Sequence, residues 1–232
     1  MSLKHIVANF IRTIKKGING ILLVNKNISI ISNNCWGGYM CQYSGIQYNS
    51  PFVGIFFFAE DYINLLQHIN VIYEPFTFID RKESKYLNHL SDKQYPIGYW
   101  SKYDIEIHFL HFKSKEECVE KWNRRLKRLD MNNLIVKFSE KDLCSESLIR
   151  IFNSLPYNNK VCFTCKPYPQ YKTVIFLHEQ NKLKEVNYCW EISDKYWNFV
   201  EHANKINEPN YSLTLFAKIL LRLASYIKIP VG

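Results

Sequence analysis

The sequence predicts an α/β fold in which a mostly parallel sheet is covered by helices on both faces, a Rossmann-like three-layer arrangement. Strand-length apolar runs alternate with segments of helical period at βαβ spacing, which is typical of parallel sheets. The continuous apolar run over residues 52–58 favours a strand buried on both faces. Hydrophobic residues make up 47% of the 232 residues, enough for one large core. We therefore expect a single domain over residues 1–232, with amphipathic helices over 1–20 and 211–228 as peripheral elements.

The first half of the chain contains strand and helix patterns in succession. Residues 27–32 form a short β-branched run that stops in a polar turn, which predicts the first strand. After the second strand, at 52–58, residues 60–69 place apolar side chains on one side at helical spacing. Residues 73–79 predict a further strand, and the polar residues 80–93 predict a loop.

The second half of the chain repeats this alternation. Residues 104–111 alternate between polar and apolar over their first six positions, which predicts a strand. Ser114 and Glu117 have the spacing of a capping box, so we expect a helix that begins there and runs through residue 129. The remaining predicted elements are strands over 134–138 and 160–166 and a helix over 145–155.

The charge of the chain indicates an anionic partner. Thirty Lys and Arg residues against 21 Asp and Glu give a net charge of +9 at pH 7. Such a charge favours a nucleotide-sugar, a phosphorylated lipid carrier, an acidic glycan or a membrane surface. A Lys- and Asn-rich composition from an AT-rich coding sequence would give the same charge without any partner. Because no Arg/Lys-rich block with glycine–aromatic spacing is present, nucleic acid is not indicated as a partner.

The cysteines and the terminal segments predict a cytoplasmic protein. The seven cysteines are odd in number and no signal peptide precedes them, so reduced thiols are expected. Cys162 and Cys165 have the spacing of a metal-binding or redox pair. However, no second pair lies at zinc-finger spacing, and the alternation of residues 161, 163 and 165 is typical of a strand. No run of 18 apolar residues predicts a membrane span. The amphipathic segment 213–227 could dock on the domain or contact the inner membrane face.

The turn after the first predicted strand is the strongest candidate for a site. Ligands bind at the carboxyl ends of strands in open α/β sheets, and Cys35 lies there. A helix N-terminus would favour its thiolate as a nucleophile, and the amides of residues 36–38 would serve as oxyanion donors. Alternatively, Cys35 is a small buried residue of a tight loop. The predicted substrate-binding residues of this turn are Asn33, Asn34, Trp36, Gly37 and Gly38.

An acidic strand supplies the second group of candidates. Asp104, Glu106 and His108 follow each other at every second position, so they are predicted to share one face of a strand. They offer a carboxylate-oriented histidine as general base, or a divalent-metal site. His111, near the carboxyl end of the same strand, is another candidate base. The alternative is an edge strand with a solvated polar face.

Basic side chains supply candidates for binding an anionic group. Three arginines lie within two turns of the helix predicted after residue 114, where they could bind phosphate or carboxylate in bidentate fashion. The alternative is a solvated helix face that pairs with neighbouring glutamates. Polar residues after two later strands are further candidates. The predicted binding residues of these segments are Arg124, Arg125, Arg128, Ser139 and Lys166.

Seven ordered sequence blocks resemble an uncharacterised bacterial family, domain of unknown function 1919, whose members are often described as exopolysaccharide biosynthesis proteins. The resemblance implies a role in making capsule, exopolysaccharide or lipopolysaccharide at the cytoplasmic or inner-membrane face, and it implies no particular reaction. The blocks span residues 32–38, 48–56, 95–98, 106–111, 122–125, 138–139 and 163–168.

Two classes of function follow as hypotheses. The first is a transferase acting on a sugar or lipid-linked precursor. In glycosyl transfer, Asp104, Glu106 or His108 would deprotonate the acceptor; in acyl transfer, Cys35 would attack with His108 or His111 as base. The second is a non-enzymatic assembly protein that binds a glycan or lipid carrier. The sequence requires no cofactor, although a divalent metal on the acidic strand would make a metal-dependent hydrolase.

Overall fold

The computed structural model describes the backbone of residues 3–226, with side chains described for residue 10 and residues 13–223. Its helices and strands alternate through most of the chain, with short 3-10 turns between them. The elements are α1 (Leu3–Leu22), β1 (Ser29–Ser32), α2 (Trp36–Ser44), α3 (Ala59–Gln67), β2 (Thr77–Ile79), β3 (Ile97–Trp100), β4 (Ile105–His108), α4 (Lys115–Leu126), β5 (Leu134–Ser139), α5 (Glu146–Ser154), β6 (Lys160–Thr164), β7 (Val174–Phe176), α6 (Phe199–Asn207) and α7 (Leu215–Tyr226).

A parallel sheet in the order β1-β5-β6-β7 forms the centre of the described structure. Successive side chains of each strand point to opposite faces, and each face contributes to an apolar cluster. On one face, Ile31 and Phe138 pack with α3, α4 and α5; on the other, Ile30 and Phe163 pack with α2, α6 and α7. The predicted α/β class, with a mostly parallel sheet between two helical layers, is confirmed.

A second, antiparallel sheet in the order β2-β3-β4 was not predicted. The strand expected over 104–111 shortens to β4 and belongs to this sheet. Residues 52–58, all of them described, do not form the expected strand, because Gly54 takes a left-handed φ of +83° that interrupts the extended run. Within this run, Phe56 forms an antiparallel bridge to His108. The apolar character of 52–58 therefore reflects burial in a loop.

The terminal helices α1 and α7 pack on one another. Leu213, Ala217 and Leu221 of the C-terminal segment are buried in the same apolar cluster as Leu23, which follows α1. Several apolar side chains of α7 remain exposed, and residues 227–228 of the predicted helix lie outside the described residues. No helix in the described part of the chain is long and apolar enough to cross a membrane. Among the described side chains of α7, the exposed large apolar residues are Leu215, Phe216, Ile219 and Leu223.

Candidate functional site

The loops after β1 and β5 meet at the carboxyl edge of the parallel sheet. These strands are neighbours, with Ser32 opposite Lys137, so the turns that follow them lie side by side. The Asn34 amide nitrogen lies 3.4 Å from the Ser139 hydroxyl, which links the two loops. The Cys35 turn and the polar loop after residue 138 therefore lie together at this edge of the sheet.

The Cys35 thiol lies beside the His111 imidazole at this edge. Cys35 is the N-cap residue of α2, and its Sγ lies 3.5 Å from His111 Nε2. His111 follows β4 and is fixed through its backbone N–H, which donates to the Gly54 carbonyl at 3.0 Å. A thiol and an imidazole at this distance form the pair that nucleophilic catalysis requires. Of the two histidines predicted as a base for Cys35, it is His111 that contacts the thiol.

Both members of this pair are uncharged at neutral pH. Burial raises the pKa of the Cys35 thiol, although the Lys137 ammonium opposes the shift. Burial, together with the charge of Lys93, lowers the pKa of His111. Burial thus opposes the thiolate that the helix N-terminus was expected to favour. A neutral imidazole can still accept the thiol proton while the sulfur attacks.

Two pockets meet at Cys35. The first, which we call the aromatic pocket, has a volume of about 330 Å³, and the second, the arginine pocket, about 250 Å³. Their lining residues differ in character. The aromatic pocket is lined by Cys35, Phe56, Phe58, Tyr95, Leu110 and Trp190 among others, and the arginine pocket by Cys35, Tyr39, Gln42, Tyr48, His111 and Arg125 among others.

A buried lysine lies beneath the Cys35 turn. The Lys137 side chain is fully buried, and its ammonium donates to Asn34 Oδ1 at 2.8 Å and to the Ser139 hydroxyl. Burial lowers its pKa. Its contacts fix the Asn34 side chain, which in turn accepts the Trp36 backbone N–H. Lys137 was not predicted as a site residue, although a lysine within an apolar strand is itself a signal that polar partners surround it.

The aromatic and glycine residues of the Cys35 turn serve packing. Trp36, predicted to bind substrate, is buried against the Phe163 ring and donates its indole N–H to the Ser193 hydroxyl at 2.9 Å. The backbone N–H groups of Trp36 and Gly37 are bonded to the side chains of Asn34 and Ser32. These two amides are therefore not free oxyanion donors, which corrects the prediction.

Asn33 and Gly38 have different surroundings within the same turn. Asn33 is buried, and its carbonyl accepts the Phe57 N–H at 3.0 Å. Its amide nitrogen has no hydrogen-bond partner among the described residues. Gly38 lines the arginine pocket, where an added Cβ would lie 3.1 Å from Val53 Cγ1. The glycine thus keeps this side of Cys35 open.

The two carboxylates of the predicted acidic strand hold a loop in place. Asp104 lies before β4 in a left-handed conformation with a φ of 52°, so it does not share a strand face with Glu106. Its carboxylate accepts from Tyr99 and forms an ion pair with Lys85. Glu106 is buried and accepts from the Ser84 hydroxyl and the Lys85 backbone N–H. Asp104 therefore leaves the predicted shared face, whereas Glu106 and His108 remain on one side of β4.

His108 belongs to an aromatic cluster. It is fully buried, its ring stacks on Phe56 at 4.6 Å between centroids, and its Nε2 lies 3.5 Å from Glu106 Oε2. Burial lowers its pKa to about 3, so it is neutral in the folded protein. Within the described range, no three His, Cys, Asp or Glu side chains are arranged to hold a metal ion. The divalent-metal hypothesis thus has no site on these residues.

Only one of the three predicted arginines lines a pocket beside Cys35. Arg125 is largely buried, donates to the Val53 carbonyl at 2.8 Å and lies over the Tyr48 ring. Arg128 donates to the Tyr48 carbonyl, and Arg124 pairs with Glu120 at 3.2 Å. The predicted three-arginine face is therefore divided among separate contacts.

The loops after β5 and β6 differ in how close they come to Cys35. Lys166 is exposed and lies 3.9 Å from Glu140, and it does not line either pocket. Asp142 lines the aromatic pocket, and burial raises its pKa to about 6. The segment 186–190, which was not predicted to belong to the site, closes the aromatic pocket with Tyr188 and Trp190. Its signal in the sequence is a cluster of aromatic residues in an otherwise polar stretch.

The comparisons with known proteins give a family but no reaction. The chain is 34% identical over 177 residues to an uncharacterised protein of Haemophilus influenzae (strain ATCC 51907 / DSM 11121 / KW20 / Rd), covering 76% of this chain and 79% of that relative. Residues 6–209 match the model of a family described as a domain of unknown function. The match covers α2 to α6, both sheets and the Cys35–His111 pair, and it ends before α7. The chain therefore belongs to the DUF1919 family.

Proposed function

We propose that this protein is a cysteine-dependent acyltransferase, with Cys35 as nucleophile and His111 as general base. The observation that carries the proposal is the 3.5 Å separation of Cys35 Sγ and His111 Nε2 at the junction of two pockets. The pair lies at the carboxyl edge of the parallel sheet, where α/β folds place their reactive groups.

The reaction proceeds in two steps. The thiol proton passes to His111 Nε2 as the Cys35 sulfur attacks the carbonyl carbon of an ester or thioester donor. The leaving alcohol or thiol takes that proton when its bond to the carbonyl breaks, and a thioester remains on Cys35. The acceptor hydroxyl then attacks the thioester, gives its proton to His111, and the released sulfur recovers that proton.

Acyl transfer fits the geometry better than glycosyl transfer does. The carboxylates expected to deprotonate a sugar acceptor, Asp104 and Glu106, are bonded to Lys85, Tyr99 and Ser84. His108 is enclosed by aromatic rings and does not line either pocket. None of these groups is therefore placed to meet a substrate that enters beside Cys35.

We propose a precursor of a surface polysaccharide as the acceptor. Tyrosine rings and an amide, from Tyr39, Tyr48 and Gln42, line the arginine pocket, and such groups suit a hydroxylated ring. The net charge of +9 and the Arg125 guanidinium suit an anionic group on that precursor. The resemblance to exopolysaccharide biosynthesis proteins points to the same class of acceptor.

Acylation of Cys35 by p-nitrophenyl acetate tests the proposal. We expect a burst of p-nitrophenolate and the mass of one acetyl group on the intact protein. Both should disappear in Cys35→Ala, and the burst rate should fall ~10²–10⁴-fold in His111→Gln, the usual range for a lost general base. Cys144→Ser is the matched control, because the Cys144 thiol is also half-buried but donates to the Ser145 carbonyl. An undiminished acetyl adduct on Cys35→Ala would refute the proposal.

Contact with an anionic membrane is a second proposal, supported by the exposed apolar side of α7. Leu215 and Phe216 are 75% and 71% exposed, and the chain is strongly basic. We expect sedimentation with phosphatidylglycerol vesicles, weakened about tenfold or more in Leu215→Glu, since an apolar side chain is worth ~1.5–3 kcal/mol when buried. Leu183→Glu, which changes an exposed leucine outside α7, should bind normally. Equal binding of both variants would refute this proposal.

A further inference from the structure

The two pockets that meet at Cys35 differ in chemistry, and this difference indicates which pocket suits the acyl group and which suits the acceptor. Phe56, Phe58 and Leu110 give the aromatic pocket an apolar wall. The arginine pocket instead presents the Gln42 amide and the Arg125 guanidinium. Cys35 is a lining residue of both, so a group bonded to its sulfur can occupy one pocket while a second molecule enters the other.

We propose that the aromatic pocket holds the acyl chain of the thioester and that the arginine pocket receives an anionic sugar whose hydroxyl attacks it. This inference rests on the proposed acyl transfer and adds the class of each substrate. The acyl group is a hydrocarbon chain of several methylene groups. The acceptor carries a phosphate or carboxylate within reach of Arg125.

The position of the base supports this assignment. His111 lines the arginine pocket and is not among the residues that line the aromatic pocket. In the second step the base must take a proton from the acceptor hydroxyl, so the acceptor has to lie on the side that His111 faces. The acyl chain, which gives up no proton, occupies the other side.

The walls of the aromatic pocket are rigid and suited to a hydrocarbon chain. Phe58 stacks on Tyr86 at 3.8 Å between centroids, and Phe56 stacks on His108. Two charged residues also line this pocket, and neither is a free charge, because Lys141 is paired with Glu185 and lies 3.9 Å from the Asp142 carboxylate. A volume of about 330 Å³ is in the usual range for small-molecule sites. Such a preformed, mainly apolar site favours longer chains over acetate.

The arginine pocket holds its cation in a fixed position. Arg125 is only 8% exposed, and one of its nitrogens donates to the Val53 carbonyl. The guanidinium lies 5.1 Å from the Tyr48 ring centroid, and no carboxylate bonds to it among the described residues. Burial lowers its pKa, although the group stays charged at neutral pH. A preorganised cation of this kind suits a phosphate or carboxylate.

A series of p-nitrophenyl esters from acetate to octanoate tests the acyl half. We expect kcat/KM for Cys35 acylation to rise ~fourfold per methylene group until the pocket is full. Leu110→Trp fills the aromatic pocket and should flatten this series. A flat series in the unmodified protein, with Cys35 acylated in every case, would overturn the pocket assignment while leaving the acyl-transfer proposal standing. Absence of any adduct on Cys35 would overturn both.

Transfer from acyl-Cys35 to glucose 6-phosphate, compared with glucose, tests the acceptor half. We expect the phosphorylated sugar to be acylated at least tenfold faster, with the acyl sugar detected by mass spectrometry. Gln42→Trp fills the arginine pocket and should lower the rate of this transfer. In the same variant, kcat/KM for acylation of Cys35 should still rise with the chain length of the ester. The Gln42 side chain is exposed, so the substitution is compatible with folding. Equal rates for the two sugars would overturn the anionic assignment.

Discussion

Replacing Gly37 with alanine tests how tightly the Cys35 turn is fixed against the sheet. An added Cβ would lie 2.9 Å from Ile30 Cγ2 and 3.1 Å from the Ser32 hydroxyl. Ile30 is buried in β1 and β-branched, so its methyl group has no free rotamer to take up. The Ser32 hydroxyl accepts the Gly37 N–H and donates to the Asn34 carbonyl, and it cannot move without losing those bonds.

The expected cost follows from these two contacts. Overpacking in a well-packed core costs ~1–3 kcal/mol. A displaced Ser32 hydroxyl adds ~1 kcal/mol for its lost hydrogen bond. The higher helix propensity of alanine offsets ~1 kcal/mol of this destabilisation. We therefore expect Gly37→Ala to lower the free energy of unfolding by ~1–3 kcal/mol.

Gly17→Ala is the matched control, because an added Cβ in that part of α1 meets nothing within 4 Å. It should raise the free energy of unfolding by up to ~1 kcal/mol through helix propensity alone. Urea unfolding followed by circular dichroism compares the two variants with the unchanged protein. Two equally stable variants would show that α2 does not approach β1 as closely as the structure indicates.

Further predictions concern titratable groups. Lys137→Met removes a positive charge that lowers the pKa of the Cys35 thiol. The pH midpoint for alkylation of Cys35 by iodoacetamide should therefore rise. An unchanged midpoint would show that the Lys137 charge does not act on the thiol. Burial raises the pKa of Asp61 from 3.8 to about 6, since desolvation outweighs its ion pair with Lys85. Folding therefore favours the protonated carboxyl. This stabilisation is fully present below pH 4 and should be lost as the pH rises to 6. The free energy of unfolding should fall by ~3 kcal/mol over this range, at 1.36 kcal/mol per pKa unit. The urea unfolding midpoint should change less between pH 4.5 and pH 7 in Asp61→Asn than in the unchanged protein. An equal change in both proteins would show that Asp61 is not the group responsible.

The buried parallel strands were predictable because their signal is local. β1, β5 and β6 are short apolar runs bounded by polar turns, and they lie where the pattern placed them. The run over 52–58 has the same apolar composition but forms a loop, because Gly54 adopts a positive φ that interrupts the extended backbone. Apolar composition reports burial, and it does not distinguish a strand from a buried loop.

The candidate site was predictable in place and less so in its members. Cys35 follows a strand, and the rule that ligands bind at such ends led to it. Choosing between His108 and His111 required the fold, because the two lie three residues apart and their difference in burial depends on segments remote in the chain. His108 is enclosed among phenylalanine rings, whereas His111 reaches the thiol.

The order of residues along this chain is enough to predict the α/β class, the edge of the sheet where the candidate site lies and the family to which the chain belongs. These properties follow from period, composition and local motifs, which act over a few neighbouring residues. The 3.5 Å contact between Cys35 and His111, separated by 75 intervening residues, arises only when β1 and the loop after β4 are brought together. The burial of Lys137 and the two pockets around Cys35 have the same origin, because exposure, distance and pKa depend on contacts between segments remote in the chain.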